Sequence, residues 1–148
     1  MIYWDILKRS EKIVIEKHDY AIWAMMKLKN LDWKKKELFA SSCWDKRIRI
    51  WEFNNETPLK CFEAHSHHVY SLSNHKYIHN GFMISTSYDF KVKLWNINDD
   101  LNINLFYEQT LAGEPLYGKI INVKGNFYYI CADLKSYVYL YLIETNRY

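Results

Sequence analysis

The sequence predicts an all-β protein built from repeated sheets of short antiparallel strands. Three observations predict it: a twelve-residue pattern that recurs 44 residues later, alternation of apolar and polar residues inside each copy, and a composition typical of strands. Aromatic residues make up 18% of the 148 positions, against 4 Gly and 2 Pro. Apolar residues make up 49%, which is enough to fill the core of one ordinary domain.

The recurring pattern occupies residues 40–51 and 84–95. In both copies a Ser precedes an Asp by four residues, and a Trp follows that Asp by six. Apolar and basic residues alternate between the Asp and the Trp, as on a half-buried strand. A period of this size, with four strands in each unit, is typical of the blades of a β-propeller.

Each copy contains a hairpin, and apolar segments on both sides complete four strands per unit. Asp45 and Asp89 are expected to cap the hairpin turns by accepting nearby backbone N–H groups. In the strand after the turn Ile48 and Ile50 alternate with arginines, including Arg49, and the arginines are expected on the exposed side. The strands are expected at 22–28, 38–42, 47–52 and 59–63 in the first unit, and at 69–73, 82–87, 91–95 and 104–108 in the second.

The pattern continues in both directions beyond these two units. Trp4 and Asp5 predict the closing strand of an earlier blade, and 12–16 its outer strand. Near the other end, 127–132 and 137–143 predict a further hairpin. This last copy is degenerate, because other residues stand where the His, Ser and Asp would be, namely Gly113, Cys131 and Lys135.

The chain is therefore expected to divide into the end of a preceding blade at 1–16, blades at 17–63 and 64–108, and a degenerate incomplete blade at 109–148. This amounts to about three four-stranded blades. Propellers usually close with about four to eight blades, so we expect a fragment of a larger ring. A missing segment or a second chain would complete the ring, or the chain would form an open arc. Alone, it is expected to expose sheet edges and apolar blade faces.

One histidine stands ahead of each copy, and the two resulting sets of four residues resemble the buried tetrad of WD repeats. The sets are His18, Ser41, Asp45 and Trp51, and then His65, Ser85, Asp89 and Trp95. The resemblance implies a partial WD-repeat β-propeller, in a ring of typically seven blades. It also implies a hydrogen-bonded chain from Trp through Ser and His to Asp. Removing one member would leave the others unpaired at a cost of about 1–3 kcal/mol.

Charge and cysteine content exclude several classes of function. The net charge of +3 is too small to indicate a nucleic-acid partner or direct membrane insertion. The basic run 34–36 is expected in a solvated loop, with a phosphate-contacting patch as the alternative. The three cysteines, Cys43, Cys61 and Cys131, have no metal-binding spacing and indicate free thiols in a reducing cytoplasm. No apolar run is long enough to span a bilayer.

Neither metal binding nor catalysis is expected. Zinc sites need three or four fixed ligands, whereas His65 belongs to a tetrad and the other clustered histidines fall in loops. Those others are His67, His68, His75 and His79. The Ser, His and Asp sets superficially resemble hydrolase triads. Because the sets repeat, are anchored to a Trp and lie inside a blade, they indicate structure, and we predict no catalytic residue and no cofactor.

Aromatic residues near the turns are the better candidates for function. Trp44 and Tyr88 occupy the position just before the turn Asp in the two copies. We expect them on the rim of the blades beside His67, His68 and Tyr70, where aromatic anchors suit protein binding. The alternative is that Trp44 and Tyr88 pack against neighbouring blades.

Residues 38–96 carry a more specific resemblance. The motifs are the repeat itself, Glu-Thr-Pro-Leu-Lys at 56–60, Glu-Ala-His-Ser-His-His-Val-Tyr at 63–70, and an Asn- and His-containing loop at 74–80. They resemble the EARP- and GARP-complex-interacting protein family, seven-bladed WD-repeat proteins of endosomal trafficking. The resemblance implies a cytoplasmic, non-catalytic adaptor for vesicle-tethering complexes, peripheral on endosomal or trans-Golgi membranes through its partners. The alternatives are an adaptor of the peroxisomal import receptor type and a propeller methylesterase.

Overall fold

The computed structural model describes residues 2–5, 10–14, 18–28, 36–53, 55–74 and 82–143. All regular structure in these ranges is β, which confirms the predicted fold class. The strands are β1 (Ile2–Asp5), β2 (Ser10–Val14), β3 (Ile22–Lys27), β4 (Leu38–Cys43), β5 (Arg47–Glu52), β6 (Lys60–Glu63), β7 (Val69–Asn74), β8 (Phe82–Ser87), β9 (Lys91–Ile97), β10 (Ile103–Thr110), β11 (Pro115–Val123), β12 (Asn126–Asp133) and β13 (Val138–Ile143).

The strands form four antiparallel sheets in which each strand pairs with its neighbour in sequence. β1 pairs with β2; β3 to β6 form the first blade, β7 to β10 the second blade, and β11 to β13 the third blade. β10 continues to Thr110, past the predicted limit of its unit at 108, and the strand predicted at 12–16 lies at Ser10–Val14. The division into units stays a prediction, and His75, His79 and most of the basic run 34–36 lie outside the described residues.

The hairpin turns repeat the same backbone geometry in all three blades. Asp45 and Asp89 each accept, through Oδ1, the backbone N–H of the residue two positions on, at 3.1 Å. The residue after each Asp lies in the left-handed region, with φ of 69° at Lys46 and 66° at Phe90. Ser136, with φ of 67°, occupies the same place in the third blade. The carboxylate of the Asp therefore organises a turn that a non-glycine residue completes.

Two apolar cores lie between successive blades. The innermost strand of each blade packs on the two innermost strands of the blade before it: β7 contacts β3 and β4, and β11 contacts β7 and β8. Burial of each large aliphatic side chain in these layers contributes about 1.5–3 kcal/mol. The first core includes Ile48, Ile50, Val69, Met83 and Trp95, and the second includes Ile84, Val92, Leu94, Ile120, Tyr129 and Ile143.

Gly118 permits the close approach of the third blade to the second. A Cβ at this position would lie 3.0 Å from the methyl group of Thr86. The backbone N–H of Gly118 donates to Ser71 Oγ at 3.2 Å, and the N–H of Ile120 donates to Ser73 Oγ at 3.4 Å. Two side-chain hydroxyls of β7 therefore tie β11 to the second blade.

Within the described residues no helix is long and apolar enough to cross a membrane.

Candidate protein-interaction surface

The second blade contains a continuous hydrogen-bonded chain. The indole N–H of Trp95 donates to Ser85 Oγ at 2.8 Å, and Ser85 Oγ lies 2.7 Å from Nε2 of His65. Nδ1 of His65 lies 3.0 Å and 3.1 Å from the carboxylate oxygens of Asp89. All four side chains are buried or nearly so. The chain links β8, β9, the turn and the segment before β7, so it joins one end of the blade to the other.

The electrostatics of this chain keep the imidazole of His65 neutral. Burial lowers the pKa of His65, and the neighbouring Asp89 offsets that effect only in part. Burial would raise the pKa of the Asp89 carboxyl. Its hydrogen bonds from His65 and from the backbone N–H groups of Ser66 and Lys91 outweigh burial and hold that pKa below its ordinary range. With His65 neutral, Nδ1–H donates to Asp89 and Nε2 accepts from Ser85.

In the first blade an arginine enters the corresponding set. Trp51 Nε1 donates to Ser41 Oγ at 2.7 Å, and Ser41 Oγ lies 2.8 Å from His18 Nε2. The position next to Nδ1 of His18 is taken by Nη1 of Arg49, at 3.0 Å, and not by Asp45. The same Nη1 lies 2.6 Å from Oδ2 of Asp45. The expectation that Arg49 is exposed is wrong: it is buried, because its charge is paired with a carboxylate inside the blade.

The contact with Arg49 reverses the direction of the hydrogen bonds that His18 makes, relative to those of His65. A guanidinium can only donate, so Nδ1 of His18 accepts from Arg49. Nε2 then carries the proton and donates to Ser41. In the second blade the imidazole donates at Nδ1 and accepts at Nε2. Burial, followed by the charge of Arg49, lowers the pKa of His18 to about 4.

The third blade uses a different acid to organise its turn. Oδ1 of Asp133 accepts the backbone N–H of Lys135 at 2.9 Å, and Oδ2 accepts the hydroxyl of Tyr139 at 2.8 Å. Gly113 lies beside this carboxylate, whose Oδ2 would be 2.7 Å from an added Cβ. In place of a tetrad at the degenerate positions Gly113, Cys131 and Lys135, the third blade therefore has a hydrogen-bonded network formed by Asp133 and Tyr139. A search for one fixed spacing misses Asp133, because it stands two residues earlier than Asp45 and Asp89 do in their turns.

Six aromatic side chains form a continuous surface across the first two blades, which we call the aromatic rim. Trp44 stacks on His68 with ring centroids 4.5 Å apart, and His67 lies 4.4 Å from Tyr88. Tyr70 lies 6.2 Å from Tyr88. The structure thus brings together all five residues expected there: Trp44, His67, His68, Tyr70 and Tyr88. A sixth member, Trp23, lies 6.1 Å from Trp44 and 5.5 Å from Tyr70.

The rim is held in place by backbone hydrogen bonds between strands and turns. The N–H of Trp44 donates to the carbonyl of Ala21 at 3.1 Å, and that of Tyr88 donates to the carbonyl of His68 at 3.0 Å. Nδ1 of His68 donates to the carbonyl of Trp44 at 2.9 Å. Trp44 therefore packs against the next blade and keeps 41% of its surface exposed, while Trp23 keeps 52%.

Comparison with known proteins identifies the repeat. The family model for the WD domain, G-beta repeat, matches residues 10–52 and 56–96, which together are more than half of the chain. The chain belongs to the WD-repeat family. Family membership accounts for the Trp, Ser and His geometry in both blades and confirms the resemblance to WD repeats.

One relative and one solved structure extend the comparison. WD repeat-containing protein 44 of Xenopus laevis is 35% identical over 72 residues, which are 49% of this chain and 8% of that protein. A crystal structure of the computationally designed Ika8 protein matches with a TM-score of 0.71 at 17% identity, over 96% of this chain and 39% of that one. The structural likeness shows the fold. The chain spans less than a tenth of its relative's length and about two fifths of the designed chain.

One group of three possible metal ligands is present among the described residues of this WD-repeat protein. His18, Cys43 and Asp45 each bring a ligand atom within 4.8 Å of the others. The guanidinium of Arg49 already contacts both His18 and Asp45. Because a fixed cation occupies the space next to two of the three ligands, the geometry opposes a second positive charge.

Sequence reasoning missed Trp23 as a member of the rim. The prediction of the rim was based on residues next to the turns of the WD tetrads, whereas Trp23 lies on β3, the innermost strand of its blade. A signal was present, since Trp23 and Tyr70 stand 47 residues apart and occupy equivalent positions in successive blades. That spacing is close to the 44-residue repeat of the tetrad.

Proposed function

We propose that this chain is a non-catalytic WD-repeat adaptor that binds another protein through the aromatic rim. WD repeats as a family serve as protein-interaction scaffolds. The observation that carries the proposal is the rim itself. It gathers half-exposed indole and phenol rings from two blades into one patch, on strands and turns with fixed backbone hydrogen bonds.

The physical properties of the rim suit recognition of a protein surface. Trp and Tyr are the residues that most often contribute 2 kcal/mol or more to an interface. Their rings here already contact one another, so binding orders little additional side-chain freedom. His67 accepts the backbone N–H of His68 at Nδ1, at 3.0 Å, which leaves its Nε2–H as a donor at the surface. His68 donates at Nδ1, which leaves its Nε2 as an acceptor.

The partner that we propose is a subunit of an endosomal or trans-Golgi vesicle-tethering complex. The support is positional: five of the six rim residues fall within 38–96, the segment that resembles the EARP- and GARP-complex-interacting protein family. A protein of this kind would be cytoplasmic and would reach membranes through that partner. The proposal goes beyond the family assignment, and it differs from a peroxisomal import adaptor in the partner that it names.

The methylesterase alternative is disfavoured by the position of the serines. Ser41 Oγ and Ser85 Oγ are fully buried, and each already accepts an indole N–H. A catalytic serine must reach the substrate carbonyl from an open site. Neither hydroxyl has such access.

Affinity capture from cells tests the proposal. The tagged chain is compared with Trp44→Ala and with a matched control, Tyr107→Ala, which removes an exposed ring from β10, at the opposite edge of the second blade from the strand that carries Tyr70. We expect tethering-complex subunits to be recovered by the wild type and by the control, with at least tenfold less in the Trp44 variant. Recovery of peroxisomal import components in place of tethering subunits would refute the proposed partner. Equal capture by all three proteins would refute the rim as the binding site.

A further inference from the structure

Two rings of the aromatic rim project from irregularities in the innermost strands. Trp23 lies at a shift of register between β3 and β4, and Tyr70 lies at the equivalent shift between β7 and β8. An irregularity of this kind bends the strand and re-aims its side chain. Trp23 thereby contacts Trp44, and Tyr70 contacts Tyr88. Backbone geometry therefore orients these rings before a partner is present.

The polar atoms of these four side chains are hydrogen-bond donors without partners. Within the described residues the indole N–H groups of Trp23 and Trp44 and the hydroxyls of Tyr70 and Tyr88 make no hydrogen bond. An indole N–H can only donate, whereas a phenol oxygen can also accept. Indole and phenol rings carry no charge at neutral pH. The rim therefore offers apolar ring surface that is studded with uncharged donors.

The neighbouring groups add to the excess of donors over acceptors. Burial, followed by the nearby carboxylate of Glu114, raises the pKa of Tyr70, so its hydroxyl stays protonated. His67 presents Nε2–H as a further donor, and His68 presents Nε2 as an acceptor. A ligand that is complementary to this surface is apolar, rich in acceptors and poor in donors.

A proline-rich segment in the polyproline II conformation has this complementary chemistry. Its backbone forms no internal hydrogen bonds, so its carbonyls are available as acceptors, and each proline lacks an N–H. A helix uses most of its carbonyls internally, and an extended strand of other residues brings one N–H for each carbonyl. Proline-rich segments bind aromatic surfaces at a low cost in conformational entropy because the polyproline II helix is already formed.

The spacing of the rings agrees with this conformation. Successive rings along the path Trp44, Trp23, Tyr70 and Tyr88 have centroids 6.1, 5.5 and 6.2 Å apart. Two residues of a polyproline II helix rise about 6.2 Å. One ring would therefore fall opposite every second residue, and roughly six residues would cover the path.

We infer that the aromatic rim recognises a proline-rich segment of its partner protein in the polyproline II conformation. The inference rests on the proposed function, because it names the chemistry of the segment that the rim binds. Prolines pack on the ring faces, and the indole and phenol groups of Trp23, Trp44 and Tyr70 donate to backbone carbonyls between them.

Fluorescence anisotropy of labelled peptides tests the inference on the full chain. The probe is octaproline blocked at both ends, which adopts the polyproline II helix. A blocked octapeptide of alternating Gly and Ser is the flexible control, and blocked octaarginine tests whether the ring faces attract cations instead. We expect octaproline to bind with a dissociation constant of about 1 mM or lower, and at least tenfold more tightly than either control peptide.

Two variants remove a donor and keep an aromatic ring, namely Trp23→Phe and Tyr70→Phe. Loss of one hydrogen bond to an uncharged acceptor should weaken octaproline binding by about three- to tenfold. Tyr107→Phe is the matched control, because it removes the hydroxyl of an exposed ring on β10, outside the rim. This control should bind octaproline like the wild type. Far-ultraviolet circular dichroism checks that all three variants fold.

Three outcomes would overturn the inference. The first is no binding of octaproline at millimolar concentration, and the second is tighter binding of octaarginine or of the Gly and Ser peptide. The third is equal binding of octaproline by the wild type, Trp23→Phe and Tyr70→Phe, because the donors would then have no part in recognition.

Affinity capture reports on the proposed function separately. Loss of tethering subunits from Trp44→Ala without octaproline binding would keep the rim as the binding site and refute its preference for proline-rich segments. Octaproline binding that Trp23→Phe weakens, together with equal capture by Trp44→Ala and the wild type, would refute the proposed function alone.

Discussion

The hydroxyls of Ser41 and Ser85 occupy equivalent places, yet the imidazoles beside them have opposite polarity. Ser85 donates to a neutral His65, whereas Ser41 receives a hydrogen bond from His18, because Arg49 takes the other nitrogen of that ring. The same WD framework therefore tolerates either direction of hydrogen bonding. What both blades keep is a buried serine between an indole and an imidazole.

Ser41→Ala is predicted to reduce the free energy of unfolding by about 1–3 kcal/mol, because the N–H groups of Trp51 and His18 lose their acceptor inside the blade. The adjacent Ser42→Ala is the matched control. Ser42 is equally buried, but its hydroxyl has no hydrogen-bond partner among the described residues, so its removal should change stability by no more than about 0.5 kcal/mol. Urea unfolding followed by tryptophan fluorescence measures both. Equal losses for the two variants would contradict the role given to Ser41.

Acid is predicted to destabilise the fold through His18. Its pKa is about 4 in the folded chain, so between pH 6.5 and 4 the unfolded chain binds a proton that the folded chain excludes. Stability attributable to His18 is therefore present above pH 6.5 and lost as the pH falls toward 4. Burial lowers the pKa of His65 as well, which adds a loss in the same direction.

The variant His18→Gln should lose less stability than the wild type over this pH range. Solvent screening at this half-buried site limits the difference to about 1–2 kcal/mol. Urea unfolding at several values from pH 7 to pH 4 measures it, with His67→Gln as the control for removing an imidazole. Parallel pH profiles for His18→Gln and the wild type would rule out His18 as the titrating group.

The Ser, His and Trp contacts were accessible from the sequence through the resemblance to WD repeats, because the spacing of the WD tetrad recurs in both copies. The buried position of Arg49 was not accessible from the sequence. Alternation predicts that a basic residue between two isoleucines faces solvent, and only the position of the Asp45 carboxylate in three dimensions shows that the guanidinium points inward. Asp133 was missed for a related reason, since it performs the role of Asp45 from a different position in its turn.

At the scale of elements, the observed strands and turns lie close to the positions that the sequence predicts. Period-two alternation places β5 and β9, the repeat places β4 and β8 ahead of them, and the Asp before a left-handed residue fixes the hairpins between them. Strand ends were less predictable. β10 extends from Ile103 to Thr110, beyond the predicted 104–108, because backbone pairing with β9 continues after the apolar segment has ended. No bounds were predicted for β11. How the blades approach each other was not accessible from alternation, since it depends on local details such as Gly118.

Gly118→Val is predicted to reduce the free energy of unfolding by about 1–3 kcal/mol. The added side chain would meet the methyl group of Thr86 and push β11 away from the second blade. Lys119→Val is the matched control, because it introduces the same side chain one residue later on the exposed side of β11. Thermal unfolding by calorimetry compares them. A melting temperature for Gly118→Val equal to that of Lys119→Val would show that the blades can separate at no cost.

For the whole molecule, the sequence predicted about three blades with uncovered apolar faces, and among the described residues the third blade exposes Val138, Leu140 and Leu142. The sequence did not show which positions face forward and which face backward in each sheet. Strand register in three dimensions provides this information, whereas the linear pattern gives only their alternation.

Within the described residues, the second blade packs on the first and the third blade packs on the second, as the contacts of β7 and β11 show. Under mechanical load such a molecule has no shared centre that must yield at once. Tension applied between its two ends should peel off one sheet after another. Single-molecule force spectroscopy would then record a series of small extensions in place of one abrupt rupture.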